Sequence, residues 1–199
     1  MIYIFAIEKI NIPYKLNHNM LLVVDNGSVF TKSLLDFLTE KKIPYEAFTF
    51  EKITLSGLSN YSSLILSGRR KNNSLMNAVN SKIIKFAVKE KKPLLGICYG
   101  AEILALTLGG TLKKMDQTHK GNQVIEILKR NPLCSGKINV FESHSYLISK
   151  IDTAFTQIAK SDVCDFEMIQ YDNLNIFGTQ FHPEMSNDGK RLLEKFVII

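Results

Sequence analysis

The sequence predicts an α/β protein with a mostly parallel central sheet, helices on both faces of that sheet and antiparallel edge strands in its C-terminal half. Two observations support this class. In residues 20–110, short and nearly continuous apolar runs alternate with helix-like segments, an order typical of a parallel sheet covered on both faces. After Gly110 the strand-like runs follow one another closely, with turns and little helix between them, which indicates antiparallel pairing.

The first half of the chain is predicted to contain four strands and three helices. The strands are Leu21–Asp25, Tyr45–Phe50, Ser63–Ser67 and Pro93–Ile97. The helices, which have apolar residues at helical spacing, are Phe30–Lys42, Leu75–Glu90 and Ala101–Leu108. The apolar face expected for the second helix consists of Leu75, Val79, Ile83, Phe86 and Ala87.

The second half is predicted to add five strands and a closing helix at Gly189–Val197. The strands are Gln123–Leu128, Ile138–Phe141, Phe155–Ala159, Glu167–Tyr171 and Ile176–Gln180. The polar segment Lys113–Asn122 is expected to be a loop that exposes His119 to solvent. No composition shift or repeat divides the chain, so we predict a single domain over residues 20–199. Residues 1–19 are expected to be an N-terminal extension outside the fold.

Composition excludes several classes of function. The chain has 199 residues, of which 45% are hydrophobic and 22% charged, as is typical of a globular domain with a substantial core. The net charge of +6 is spread along the sequence without a dense basic block, so no nucleic-acid partner is expected. No apolar run approaches the ~18 residues of a membrane span. Three widely spaced cysteines without a CxxC pair argue against a disulfide framework or a metal site, and they predict a cytoplasmic protein.

Cys98 lies between two glycines where a predicted strand meets a predicted helix. Gly96 precedes the cysteine by two residues and Gly100 follows it by two, which is the spacing of a nucleophile elbow. A tight turn of this kind strains the backbone, and bulky neighbours would collide. The first N–H groups of the following helix would favour a thiolate and an oxyanion beside it. Taken alone, the cysteine could equally be a small core residue.

A histidine and a glutamate lie two residues apart after the last predicted strand, in the segment Thr179–Glu184. Pro183 disfavours helical backbone at His182 and so favours extended chain there. Side chains at i and i+2 of an extended chain project to the same side, so the Glu184 carboxylate can bond one imidazole nitrogen and leave the other free. Open α/β sheets place their sites at this end of the strands. His-Pro-Glu by itself is also typical of an ordinary turn.

Four short motifs together resemble those of the class I (triad) glutamine amidotransferases, in the order and spacing of that family, over roughly residues 20–197. They are LSG at Leu66–Gly68, GICYG at Gly96–Gly100, ESHSY at Glu142–Tyr146 and TQFHPE at Thr179–Glu184. The resemblance implies a flavodoxin-like fold. Within the family, the set is most similar to the amidotransferase part of GMP synthase. Anthranilate, aminodeoxychorismate, carbamoyl-phosphate and imidazole-glycerol-phosphate synthases use close relatives of the same motifs.

The resemblance implies hydrolysis of L-glutamine to glutamate and ammonia through a cysteinyl thioester. Cys98 would be the nucleophile, His182 the base and acid, and Glu184 the carboxylate that orients the imidazole. The Tyr99 amide and the loop at Gly68–Arg69 would form the oxyanion hole. The residues implied to bind the substrate are Glu102, Ser143, Ser145 and Tyr146. No cofactor is implied, and the expected partner is a separate ATP-dependent synthase subunit that uses the ammonia, as in the conversion of XMP to GMP.

Two positions depart from the family pattern. Glu102 replaces a glutamine that contacts the amino-acid end of the substrate; a carboxylate can pair with an α-ammonium group but cannot donate as an amide does. Arg69 replaces a second glycine, and a positive φ there would cost about 1 kcal/mol. The other candidate groups, His144, Cys134 and Cys164, are predicted to be structural.

Three functions are therefore compared. The first is a glutamine-hydrolysing subunit; the chain has no recognisable nucleotide-binding loop, so the acceptor chemistry would belong to another polypeptide. The second is a stand-alone hydrolase of γ-glutamyl compounds, which Glu102 would favour by altering the pocket. The third is a catalytically impaired binding or regulatory subunit, which Glu102 and Arg69 together would favour.

Overall fold

A computed structural model describes residues 20–199 as one nine-stranded sheet with helices packed against it. The extension predicted for residues 1–19 lies outside the described residues. The first half alternates strands and helices as predicted: β1 Leu21–Asn26, α1 Thr31–Glu40, β2 Tyr45–Thr49, β3 Ser63–Arg69, α2 Ser74–Lys89, β4 Leu94–Ile97 and α3 Tyr99–Thr107. Two 3₁₀ segments, Phe50–Lys52 and Leu55–Asn60, connect β2 to β3.

The second half consists mainly of strands. Its elements are β5 Thr111–Ile127, β6 Lys137–Lys150, β7 Phe155–Lys160, β8 Met168–Tyr171, β9 Ile176–Thr179, a 3₁₀ turn at Pro183–Met185 and α4 Asn187–Phe196. The five predicted strands all occur, but two are much longer than expected. These two form a long antiparallel hairpin in which Lys120 pairs with Ser143 and Asn122 with Phe141.

The order of the strands places the first and last parts of the chain side by side. The sheet runs β2-β1-β3-β4-β9-β8-β7-β5-β6, with parallel pairing from β2 to β9 and antiparallel pairing from β9 to β6. The predicted fold class, a mostly parallel sheet with antiparallel strands from the C-terminal half, is confirmed. Because β9 pairs directly with β4, the residues that follow both strands meet at one edge of the sheet.

Alternating residues of the central strands support two separate cores. Val23, Ile65 and Leu95 pack on one face with apolar residues of α1 and α4. Leu22 and Leu64 pack on the opposite face with α2 and α3. Buried parallel strands need cover on both faces, and the helices provide it. In the described residues, no helix combines the length and apolar composition needed to cross a membrane.

The predicted loop Lys113–Asn122 is wrong, because this segment belongs to β5. His119 is opposite His144 of β6, with 5.8 Å between the ring centroids, and its Nε2 atom is buried. The side chain is half-buried, so the expectation that His119 is solvent-exposed is wrong in part. The polar sequence of this segment gave no strand signal, because backbone hydrogen bonds to β6 stabilise the strand. Strand preference depends on such pairing more than on composition.

The apolar face predicted for α2 is partly wrong. Ile83 and Ala87 are buried as expected, but Leu75 is 56% exposed and Met76 is buried instead. The helix begins one residue before the predicted start. Asn80 also faces the core, where it exchanges hydrogen bonds with Asn26 at the end of β1. This buried polar pair thus links the core-facing side of α2 to the end of β1.

Candidate active site

The predicted sharp turn at Cys98 is present. The cysteine lies between the last residue of β4 and the first residue of α3, with φ 52° and ψ −103°. A positive φ is uncommon for a residue other than glycine, and such strained backbone is often found at functional sites. The Cys98 N–H donates to the Thr179 carbonyl at 2.7 Å, which anchors the turn to the end of β9.

The glycines on either side of Cys98 are required by close backbone packing. A Cβ atom on Gly96 would lie 2.4 Å from the carbonyl carbon and oxygen of Gly100. A Cβ atom on Gly100 would lie 2.3 Å from the carbonyl oxygen of Leu66 in β3. The G-x-C-x-G spacing therefore lets α3 leave the sheet in tight contact with its own strand and with β3.

The Cys98 thiol is nearly buried and lies among carboxylates. Burial raises the pKa of the thiol well above its usual range, and the negative charges of Glu102, Glu142 and Glu184 raise it further. The Tyr99 backbone N–H bonds the sulfur and opposes this shift. The Sγ atom also lies 3.9 Å from the Ser143 carbonyl oxygen. These surroundings favour the neutral thiol, so a base is needed to form the thiolate.

His182 and Glu184 are brought together as the sequence predicts. The backbone at His182 is extended, with φ −98° and ψ 94°, and Pro183 begins a short 3₁₀ turn. The Nδ1 atom of His182 lies 2.8 Å from Oε1 of Glu184, and both side chains are only 3% exposed. The carboxylate fixes the orientation of the imidazole and leaves Nε2 for exchanging a proton with another group.

Neighbouring elements hold the imidazole in place. The His182 N–H donates to the Phe141 carbonyl at 2.8 Å, which ties the segment after β9 to β6. The ring packs against Phe30, with 4.5 Å between centroids. Gly68 supplies space for the same ring, because a Cβ atom there would lie 3.1 Å from the His182 Cε1 atom. Phe30 and Phe141 were not identified from the sequence, since nothing local indicates that they contact the histidine.

A cleft of about 480 Å³ opens beside the Cys98 turn. Four of the residues singled out in the sequence line it: Arg69, Tyr99, Glu102 and Tyr146. Ser143 instead contributes its carbonyl near the Cys98 sulfur, and the Ser145 hydroxyl bonds that of Thr118 at 2.8 Å. The predicted pocket residues therefore divide between the cleft and the hairpin of β5 and β6.

The two positions that depart from the family pattern contact each other in this cleft. An Arg69 nitrogen lies 3.5 Å from Oε2 of Glu102, and the guanidinium carbon lies 4.3 Å from the centre of the Tyr99 ring. The Arg69 side chain also donates to Asn72 at 2.7 Å. Burial raises the pKa of Glu102, and the positive charge of Arg69 opposes that rise. Arg69 is not among the described residues with positive φ, so the predicted backbone cost does not arise.

The sequence analysis did not predict that two glutamates are buried close together. Glu142 of β6 and Glu167, directly before β8, are both completely buried close to His144. Burial raises the pKa of Glu142 to about 7 and of Glu167 to about 8; the Glu142 charge contributes to the second shift. Glu167 had one detectable signal, namely a charged residue at the start of an otherwise apolar strand pattern.

The other predicted structural groups are buried, and none forms a disulfide. Cys134 and Cys164 are free cysteines, like Cys98. The His144 Nδ1 atom lies 2.8 Å from the Tyr146 carbonyl oxygen, a contact within its own strand. In residues 20–199 no group of three or more histidine, cysteine or acidic side chains is arranged to hold a metal ion.

Comparison with known proteins extends these observations. Residues 22–199 match the family "Glutamine amidotransferase class-I". A glutamine-hydrolyzing GMP synthase of Yersinia pestis (strain Pestoides F) is 28% identical over 198 residues, covering 92% of this chain and 37% of the relative. The chain thus spans little more than a third of the length of the curated relatives it matches.

Solved structures give the same result for the fold. A protein of Thermoplasma acidophilum, described as a proposed subunit of GMP synthase, superposes with a TM-score of 0.80 at 26% identity, over 89% of this chain and 92% of that one. A glutamine amidotransferase of Thermotoga maritima has a TM-score of 0.73 at 20% identity, over 89% of this chain and 81% of that one, a likeness of fold. With the family match over residues 22–199 and the folded elbow in place, the chain belongs to the class-I glutamine amidotransferases, a family of glutamine-hydrolysing enzymes.

Proposed function

We propose that this protein hydrolyses L-glutamine to glutamate and ammonia, with Cys98 as nucleophile, His182 as base and acid, and Glu184 as the orienting carboxylate. The observation that carries the proposal is the 2.8 Å contact between His182 and Glu184 at the sheet edge where Cys98 lies on a strained turn. β4 and β9 are adjacent parallel strands, so Cys98 and His182, which follow them, lie at the same edge of the sheet, and this supports the proposal.

The first step requires proton transfer from sulfur. The raised pKa of Cys98 keeps the thiol protonated at rest, so Nε2 of His182 takes its proton as the sulfur attacks the side-chain amide carbon of glutamine. A C–S bond forms and the amide oxygen becomes an oxyanion. The Tyr99 N–H, at the start of α3, is a proposed donor to it, with the loop at Gly68–Arg69 as the other; one such donor is worth about 3–4 kcal/mol.

Three proton transfers complete the reaction. His182 returns its proton to the amide nitrogen, the C–N bond breaks, and ammonia leaves a γ-glutamyl thioester on Cys98. Water then attacks the thioester while His182 accepts a proton from it; the C–S bond breaks, and the sulfur regains a proton. Glu184 accepts a hydrogen bond from Nδ1 throughout and stabilises the imidazolium when it forms.

The cleft beside the turn is the proposed site for the amino-acid end of the substrate. Glu102 offers a carboxylate for the α-ammonium group, and Arg69 offers a guanidinium for the α-carboxylate. In the unliganded cleft these two side chains face each other, and glutamine would exchange that contact for one with each of its charged groups. Tyr146 lines the same cleft, and Ser143 and Ser145 are proposed to shape its entrance from β6.

The proposed fate of the ammonia is transfer to a separate ATP-dependent synthase subunit, as in the conversion of XMP to GMP. Two comparisons support this: the curated relatives named GMP synthase extend far beyond the region matched here, and the Thermoplasma acidophilum neighbour is described as one subunit of such a synthase. A cytoplasmic location remains a prediction from cysteine usage, as does a single domain over residues 20–199.

A second candidate function is hydrolysis of γ-glutamyl compounds without a partner. The contact between Arg69 and Glu102 favours it, because it places two charges in a cleft where relatives have a glycine and a glutamine. The third possibility, an impaired binding subunit, is disfavoured by the intact pairing of His182 with Glu184.

Turnover of glutamine and of γ-glutamyl amides by the wild-type chain, with and without a GMP synthase pyrophosphatase subunit, separates these functions. Preference for free glutamine and stimulation by that partner support the proposal, whereas partner-independent preference for γ-glutamyl amides supports the second candidate. Cys98→Ala should abolish turnover and labelling by a diazo-ketone glutamine analogue, and Cys134→Ala, which alters another buried cysteine, should retain both. Turnover by Cys98→Ala at the wild-type rate would refute the assignment.

A further inference from the structure

Glu142, His144 and Glu167 form a buried group beside the proposed triad, called here the buried acid cluster. Glu142 and His144 are two residues apart on β6 and point to the same side, and Glu167 reaches them from the start of β8. Both glutamates are fully buried and His144 is 4% exposed. None of the three has a role in the reaction described above.

The cluster contains polar atoms without conventional partners. They are both carboxyl oxygens of Glu142, Oε2 of Glu167 and Nε2 of His144. The remaining Glu167 oxygen, Oε1, accepts a hydrogen bond from the Ser161 hydroxyl at 2.7 Å. Among the described residues, no lysine or arginine forms an ion pair with either glutamate. Two unpaired carboxylates in this position would be very unfavourable, so the cluster needs protons.

Hydrogen-bond chemistry gives the number of protons. The Tyr146 carbonyl can only accept, so the His144 Nδ1 atom that contacts it must carry a hydrogen. The His144 Nε2 atom lies 3.1 Å from Oε2 of Glu142, and this contact is favourable only with a proton between them. The two carboxyl groups also lie within hydrogen-bond reach of each other, which requires a second proton. Two protons therefore bridge the three groups and cancel the two negative charges.

The pKa values of the three groups agree with this number of protons. Burial raises the pKa of Glu142 to about 7 and that of Glu167 to about 8, and it lowers the pKa of His144. Because the three groups interact, the protons leave in steps that belong to the cluster and not to single residues. Loss of the first proton is expected just above neutral pH.

The cluster is connected to the reacting groups on two sides. Ser143, between Glu142 and His144, places its carbonyl oxygen 3.9 Å from the Cys98 sulfur. The Glu167 carbonyl accepts a hydrogen bond from the Gln180 N–H at 2.8 Å, two residues before His182. A change in the cluster can therefore act on β6, which contacts Cys98, and on the segment after β9 that carries His182.

We propose that the buried acid cluster holds two protons in the active enzyme and thereby positions the Glu142–Tyr146 segment of β6 beside Cys98. Loss of a proton above neutral pH then lowers glutamine turnover. Glu142 and Glu167 act here as positioning residues. The effect on turnover rests on the glutaminase function proposed above, whereas the protonation of the cluster does not.

Other titratable groups face the cluster and sense its charge. They are His119 of β5, Glu102 of α3, Cys98 before α3, His182 after β9, and Cys164 before β8. A deprotonated cluster places negative charge near Cys98, and a charged Glu142 raises the pKa of that thiol. Loss of a proton from the cluster therefore disfavours the Cys98 thiolate and also disturbs the position of β6.

Infrared spectroscopy tests the protonation directly and needs no activity. Wild-type protein at pH 6 should show the carbonyl band of a protonated carboxyl group, and the band should weaken between about pH 7 and 9. Glu167→Gln should weaken it, since the amide donates to Glu142 in place of one acid proton and leaves only the proton shared by Glu142 and His144. Glu102→Gln, which alters a different buried carboxyl, should keep it. Absence of the band in the wild type, or a band of undiminished intensity in Glu167→Gln, would overturn the proposal.

Turnover across pH tests the positioning role. In the wild type, kcat is expected to fall above about pH 7, as the first proton is lost, while KM changes little. Glu167→Gln supplies a permanent donor, so its kcat should lack this fall, whereas Glu167→Leu leaves Glu142 unpaired and should lower kcat about tenfold at pH 7. An unchanged alkaline fall in Glu167→Gln would refute the role. If the wild type does not hydrolyse glutamine at all, the proposed function fails, and the infrared result still decides the protonation of the cluster.

Discussion

The Nδ1 atom of His182 lies 2.8 Å from Oε1 of Glu184, in a buried position at the edge where β4 and β9 end. Pro183 between them keeps His182 extended, so a three-residue segment brings both side chains to the same side. The contact engages Nδ1 of the imidazole and leaves Nε2 free, and a Cys–His mechanism needs one free imidazole nitrogen to exchange a proton with the thiol.

Replacing Glu184 by glutamine should leave the fold intact and impair turnover. The amide can hold the imidazole but offers no charge to stabilise the imidazolium, and it can favour the wrong tautomer. We expect kcat to fall by about 10²–10⁴-fold with a small change in KM. Steady-state glutaminase kinetics measure this, with Glu194→Gln on α4 as a control that removes a surface carboxylate. Equal kcat values for Glu184→Gln and the wild type would exclude the orienting role.

Replacing Glu102 by glutamine should make Cys98 easier to ionise. After burial, the Glu102 charge is the largest cause of the raised pKa of the thiol, and the substitution removes it without changing the size of the side chain. The rate of Cys98 alkylation by iodoacetamide, followed against pH, should show a lower apparent pKa. Glu126→Gln, on an exposed part of β5, should not change that profile. A profile in Glu102→Gln identical to that of the wild type would contradict the expected coupling.

Replacing Gly100 by alanine should destabilise the protein. The added methyl group would lie 2.3 Å from the Leu66 carbonyl oxygen, and neither backbone can move away without disrupting the sheet. We expect the free energy of unfolding in urea to fall by about 1–3 kcal/mol. Gly57→Ala is a suitable comparison, because its methyl group would meet only the Thr54 side chain, at 3.1 Å. Equal losses in the two variants would show that the close contact at the elbow does not limit stability.

Stability should depend on pH through Glu142 and Glu167. Their pKa values are raised from 4.5 to about 7 and about 8, so the folded state binds more protons than the unfolded chain in this interval. Their contribution to stability is complete below about pH 4.5 and is lost as the pH rises through about 8. The free energy of unfolding of the wild type relative to Glu167→Gln should fall by roughly 4 kcal/mol between pH 5 and 9. A constant difference would mean that Glu167 has an ordinary pKa.

The sequence alone determined those features that depend on neighbouring residues. Apolar periodicity predicted the alternation of strands and helices in the first half, because burial on both faces imposes it. The glycines around Cys98 and the proline after His182 predicted their backbone geometry, since steric exclusion acts over one or two residues. The catalytic roles of Cys98, His182 and Glu184 rest on those local features and on family resemblance, and they stay predictions.

Only the tertiary structure decided which distant segments meet. The insertion of β9 beside β4 puts Cys98 and His182 at one edge, and no local pattern encodes strand order. Pairing between β5 and β6 turned a polar segment into a strand and buried part of His119. The contact of Arg69 with Glu102, and the encounter of Glu142 with Glu167, join residues that lie 33 and 25 positions apart. Their charges and protons depend on burial, which arises only when the whole sheet has formed.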